Sequence, residues 1–213
     1  MSRDPRLWLP TLQLATLWLL VQSTRFFVDI GEDGLHYYAA SLVADGLVPY
    51  RDFFYSSAPG PALVVGALLK VGAPVWLTKL VPMGGALLAA FCVAALVDRW
   101  ADRRAAIVAV VLLLSSSLSL RLGPYQGGHW VAAGLIAAAM LQGELGRWRI
   151  AGALLSTATL YDMHGALGLI PLLALAWRAR MVGTLAQGLM VLVASGLALL
   201  AWCGSAIFEQ TFV

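Results

Sequence analysis

Apolar runs cover roughly residues 7–21, 60–73, 75–97, 105–120, 129–143, 150–160, 164–177 and 181–203, and the connectors between them are short and charged or rich in Gly and Pro. None of the runs alternates with the period of two that marks a half-buried strand, so the pattern predicts helices throughout. A membrane-spanning helix needs about 20 apolar residues. The run at 60–73 opens at Ala58-Pro59-Gly60-Pro61, contains Lys70 and falls short of that length, so it is expected to lie at an interface. The stretch between Arg149 and Arg178 must go out and return in about 28 residues where two full spans need about 40, which predicts a short hairpin with Tyr161-Asp162-Met163-His164-Gly165 at its tip. The expectation is an all-α, polytopic transmembrane bundle of about seven spans, with interfacial helices between spans one and two.

Charge orients these runs. Arg3 and Arg6 precede the first run, and no small-x-small cleavage site follows it, so residues 1–24 read as an uncleaved signal anchor with a cytoplasmic amino terminus. Residues 25–74 then form an external loop and 75–213 the remaining membrane helices. With that assignment Arg99, Arg103, Arg104, Arg147, Arg149, Arg178 and Arg180 join Arg3 and Arg6 on the cytoplasmic side, nine of the fourteen basic residues. Trp8, Trp76, Trp100, Trp130, Trp148 and Trp177 fall near span ends, where indoles favour the interface.

Composition narrows the class. With 61% hydrophobic residues, 12% charged and a mean hydropathy of +0.83, there is too little polar surface to clothe a soluble globule. The net charge of +3 is spread over short loops, which suits membrane orientation and offers no nucleic-acid face. Cys92 and Cys203 each fall inside an apolar run without metal-binding spacing. His36, His129 and His164 are the three histidines, and no two share a helix at ligand spacing, so no metal set is read from them. The two halves of the chain carry no internal repeat of the kind transporters show.

Polar chemistry concentrates at residues 25–60, which hold five of the eleven acidic residues directly after the first apolar run. Between Gly34 and Asp45, Leu35, Tyr38, Ala39, Leu42 and Val43 recur at helical spacing, the pattern of a helix lying on a membrane. Glu32 and Asp33 sit at its amino-terminal end, where they either cap the helix or supply a general base. Arg51 and Arg121 are the cations expected near the outer face, and a guanidinium fork suits a phosphate.

The string GEDGLHYYAASLVADGLVPYRDFF resembles the first external loop of GT-C glycosyltransferases, in the branch of bacterial lipid-linked-sugar enzymes and protein O-mannosyltransferases. The later stretch GRWRIAGALLSTATLYDMHGALGLIPLLALAW is similar to that family's Arg-rich turn and short hairpin. The resemblance implies a bacterial inner-membrane protein transferring a sugar from a polyprenyl-phosphate donor to an acceptor hydroxyl on the external face. It implies Glu32 and Asp33 as the catalytic acids, with the pair in reversed order relative to the family's Asp-Glu, so that either is a candidate base. Tyr50, Arg51, Asp52, His129, Asp162 and His164 become the candidates for holding donor or acceptor. A divalent cation held by Glu32 or Asp33 through oxygen would be Mg or Mn. Membrane lipids and other membrane subunits are the partners to expect. Enzymes of this family run longer, so the expectation divides between part of a transferase and a non-catalytic subunit of a larger membrane complex built on the same scaffold.

Overall fold

The computed structural model describes residues 5–23 and 32–206, and every regular element in them is helical. Residues 25–31 of the acidic segment lie outside the described residues, as do the side chains of Glu32 and Arg121. The helices are α1 (Pro5–Ser23), α2 (Glu32–Ala44), α3 (Gly60–Lys70), α4 (Val75–Thr78), α5 (Leu80–Trp100), α6 (Arg103–Ser115), α7 (Ser117–Leu122), α8 (His129–Glu144), α9 (Trp148–Tyr161), α10 (Leu169–Arg178) and α11 (Val182–Cys203). A single 3-10 turn, Met163–Gly168, joins α9 to α10. Among the described residues two stretches are long and apolar enough to cross a membrane: Val75–Trp100, which combines α4 and α5, and α11.

Glycines set how closely the long helices pack. A Cβ at Gly85 of α5 would lie 2.5 Å from the backbone N of Val131, and one at Gly134 of α8 would lie 2.4 Å from the carbonyl of Gly85. The α5 and α8 backbones therefore touch, an approach that small residues permit between helices in lipid. The same device joins α9 to α11, where a Cβ at Gly188 would meet the Arg149 carbonyl at 2.2 Å. Around these crossings lie two cores, one of Trp18, Met83, Val110, Leu114 and Trp130, the other of Trp148, Leu155, Leu172 and Leu185.

Chain reversals carry the start of α5, the start of α8, the end of α9 and the end of α11 to one end of the bundle, hereafter the polar end. There Cys203 packs with Tyr50, Tyr55 and Ala39. Arg99, Arg103, Arg147, Arg149 and Arg178 fall at the opposite end, in or beside the turns α5–α6, α8–α9 and α10–α11. The short hairpin expected from the sequence is present: α9 has 14 residues and α10 only 10.

The apolar positions expected to lie on a membrane divide in the structure: Leu35 is 55% and Tyr38 is 61% exposed, while Ala39 is buried together with Asp33, His36 and Ala40, and Val43 packs against that core. Spacing of three and four residues puts Asp33, His36, Ala39 and Ala40 on one stripe. The polar stripe faces inward because it has partners there and because Ala39 and Ala40 are small enough to let α3 approach. A Cβ at Gly66 of α3 would meet the Ala40 carbonyl at 2.9 Å.

Candidate functional site

The polar end is built from three turns. The first is the start of α2, whose Asp33 carboxylate is buried. Its Oδ2 accepts a hydrogen bond from the Lys79 ammonium, and its Oδ1 accepts one from the backbone N–H of Gln126 at 2.9 Å. Lys79 is itself buried, at the break between α4 and α5. The Gln126 side chain donates to Thr78 Oγ1 at 3.2 Å, so one carboxylate fastens α2 to both the α5 start and the α7–α8 turn. Lysine inside an apolar run marks a paired or functional site. That rule picks Lys79 out of VWLTKLVPM, although it does not name the partner.

The second turn is the 47–57 loop. Tyr50 is buried with a left-handed φ of 66°, and its hydroxyl donates to the Ser57 carbonyl at 2.5 Å. A bulky residue at positive φ persists only where its surroundings over-determine it. Asp52 accepts from the Val48 N–H at 2.8 Å and pairs with the exposed Arg51 guanidinium at 2.8 Å. The Arg51 hydrogen bond, joined by the Val48 N–H, holds the Asp52 carboxyl at about 2, below the usual carboxylate range.

The third turn holds Asp162, which is buried after the end of α9. Its Oδ2 accepts from His129 Nδ1–H, and its Oδ1 accepts from His164 Nδ1–H at 2.9 Å and from the His164 backbone N–H at 3.0 Å. Burial alone would raise this carboxyl, but the hydrogen bonds from His129 and His164 outweigh it and hold it at about 2. Gly128, at φ 88°, brings His129 to this spot: a Cβ there would lie 2.8 Å from the Tyr161 carbonyl and 2.9 Å from Pro61. Gly60 is wedged against Tyr161 in the same way, with its missing Cβ 2.5 Å from the Tyr161 Cα. The start of α3, the α7–α8 turn and the α9 terminus therefore meet at one point.

Aromatic contacts link the three turns. Tyr50 packs edge-on to Tyr55 and Tyr55 hydrogen-bonds His36 at 3.1 Å. His36 lies edge-on to Tyr125, which stacks on His129 with ring centroids 6.1 Å apart. Among the sequence candidates, Asp33, Tyr50, His129, Asp162 and His164 thus belong to one connected array, while Arg51 and Asp52 form an exposed pair at its edge. His36, Tyr55, Lys79, Tyr125 and Gln126 are the members that spacing did not single out. His36 was legible only as a histidine on a helix. Beside the array, α3, α9 and α11 enclose an apolar cleft of about 470 Å³ lined by Pro59, Gly60, Leu63, Leu160, Leu199 and Trp202.

Comparison with protein-family models, with curated proteins and with solved structures returns no match for this chain.

Proposed function

We propose that this chain is a multi-pass protein of a bacterial inner membrane, with about seven spans and a cytoplasmic amino terminus. In this reading α1, α5, α6 with α7, α8, α9, α10 and α11 are the spans, and the polar end is external. Its function is that of a GT-C-like glycosyltransferase: it binds a polyprenyl-phosphate sugar and transfers the sugar to an acceptor hydroxyl. The observation that carries the reading is the polar array opening beside an apolar cleft at one end of the bundle. A lipid-linked donor has this same division, an acyclic apolar chain joined to an anionic, hydroxyl-rich head, and the cleft suits the first as the array suits the second.

The hydrogen bonds of Asp33 to Lys79 and Gln126 support a role for it in holding α2 in place, and we assign the role of general base to Glu32. Arg51, one residue from the buried Tyr50, is the cation offered to the donor phosphate. A second reading, a non-catalytic subunit of a larger membrane complex, is favoured by the fastening role of Asp33 itself, because a carboxylate used as a tie requires no chemistry.

Gentle detergent extraction of the chain at native expression level, followed by native mass spectrometry, tests the choice. Recovery with bound polyprenyl-phosphate lipid, and loss of sugar transfer in Glu32→Gln with its fold intact, is the expected result. Recovery only as a fixed-stoichiometry component of a large assembly, without such lipid, overturns the enzyme reading in favour of the subunit.

A further inference from the structure

His129, Asp162 and His164 each offer a ligand atom, and the three atoms lie within 4.8 Å of one another. We propose that they form a binding site for one divalent first-row transition ion, of the Zn²⁺ class, at the polar end. The proposal stands apart from the transferase reading and from any cation held by the acidic pair of α2.

The donor set decides the class of ion. Two imidazoles and one carboxylate are the ligands of open zinc sites, and the same trio serves other first-row ions. Mg²⁺ and Ca²⁺ take oxygen ligands and have little use for imidazole. Ligand atoms about 2.0–2.1 Å from a tetrahedral Zn²⁺ stand about 3.4 Å apart, a spacing that small rotations about χ1 and χ2 reach from the present arrangement. In this structure the two Nδ1–H groups bond the carboxylate oxygens. A cation entering this space would join the same nitrogens and oxygen in place of the two Nδ1 protons, each of which leaves to solvent from an imidazolium or moves to Nε2 of a neutral imidazole.

The site is also built, in the sense that its parts are held independently of the ion. Asp162 caps the 3-10 turn through the His164 N–H, and the Asp162 carbonyl accepts from Gly165 N–H at 2.7 Å, which fixes two ligands on one tight turn. A Cβ at Gly165 would lie 2.5 Å from the Ala158 backbone, so the turn is pressed onto α9. The third ligand begins α8 and is held against Tyr161 by Gly128, while Tyr125 stacks on its ring at an interplanar angle of 19°. Such supports around a ligand orient it and tune its affinity. Asp162 is buried while the side chains of His129 and His164 are 50% and 71% exposed, so an ion would be anchored from below with coordination positions open to water or a substrate oxygen.

The test uses the purified, untagged full chain in detergent. Titration with Zn²⁺ by calorimetry, and with Co²⁺ by visible absorption, should give one ion per chain, with Co²⁺ bands of a nitrogen- and oxygen-ligated site. His129→Ala and His164→Ala should each lower affinity by more than the roughly 10–100-fold that a lost outer partner costs. Glu144→Gln, at the far end of α8 from His129, should leave it unchanged, and excess Mg²⁺ should not displace Co²⁺. His164 is the most exposed of the three, so its variant keeps the fold and makes a negative result interpretable. Absence of stoichiometric binding, or equal binding by wild type and both variants, would overturn the site and leave a hydrogen-bonded His–Asp–His cluster.

Discussion

Asp33 and Lys79 form the most consequential pair of side chains in the molecule, since both charges are nearly excluded from solvent. Removing one partner of a buried ion pair leaves the other uncompensated, at a cost of about 3–5 kcal/mol. Asp33→Asn and Lys79→Met should therefore each lower the unfolding midpoint strongly in detergent, whereas Glu32→Gln should leave it within error. A Glu32→Gln chain as unstable as Asp33→Asn would show that the two acids share the structural role. Asp52 behaves differently because it is exposed. Its folded pKa of about 2 lies below the usual value of 3.8, so its contribution to the 47–57 loop is present above the usual carboxylate range and is lost as pH falls toward 2. Limited proteolysis of that loop should accelerate over this window in the wild type, and Asp52→Asn should be cut at the fast rate at neutral pH too. Only one of these pairs could be read from spacing: Arg51 and Asp52 are neighbours in the chain, whereas Asp33 and Lys79 are 46 residues apart.

At the scale of elements the apolar runs were legible, because a run without twofold alternation folds as a helix whether lipid or protein surrounds it. Breaks inside runs were less so. The 75–97 run divides at Lys79, where the ammonium turns to Asp33, and the 105–120 run divides at Ser116, whose hydroxyl accepts from the Ser119 N–H at 3.1 Å. Helix α2 shows what a periodicity rule leaves out: it picks Leu35 and Tyr38 for an exposed apolar stripe, and both are exposed, but it gives no sign that Asp33 and His36 find partners inside. The His–Asp–His cluster was hidden for a related reason. Its members come from a helix start and from a turn about 33 residues later, so no local spacing announces it. Close helix contacts make a test of their own. Gly134→Val should force α5 and α8 apart, destabilising the chain by about 1–3 kcal/mol or more, while Gly196→Val on α11, where nothing lies within 4 Å of the added Cβ, should be tolerated. Equal effects of the two substitutions on the melting profile would refute the backbone-contact account.

For the whole molecule, exposed apolar side chains are the dominant surface feature. Leu12, Leu17 and Leu20 on α1, Val108 and Leu112 on α6, Ile170 and Trp177 on α10, and Met190, Val193 and Leu197 on α11 are all exposed. So extensive an apolar exterior fits a lipid environment. The proposed topology can be measured. With Cys92 and Cys203 replaced, a cysteine at Phe54 should react with an impermeant thiol reagent only from outside the cell, and one at Arg180 only after the membrane is opened. Reaction of both from one side would remove the proposed seven-span arrangement and the proposed external site with it.

The Asp33 carboxylate also imposes an order on biogenesis. Two of its partners emerge from the ribosome long after it does, 46 residues later for Lys79 and 93 residues later for Gln126. Until α5 has been made, α2 carries a buried-type acid without the Lys79 ammonium, and until the α7–α8 turn follows, the Gln126 tie is not made either. The segment that is translated second is thus among the last to settle, and nascent chains arrested between Lys79 and Gln126 should display α2 to protease from the far side of the membrane, where chains arrested beyond α8 protect it.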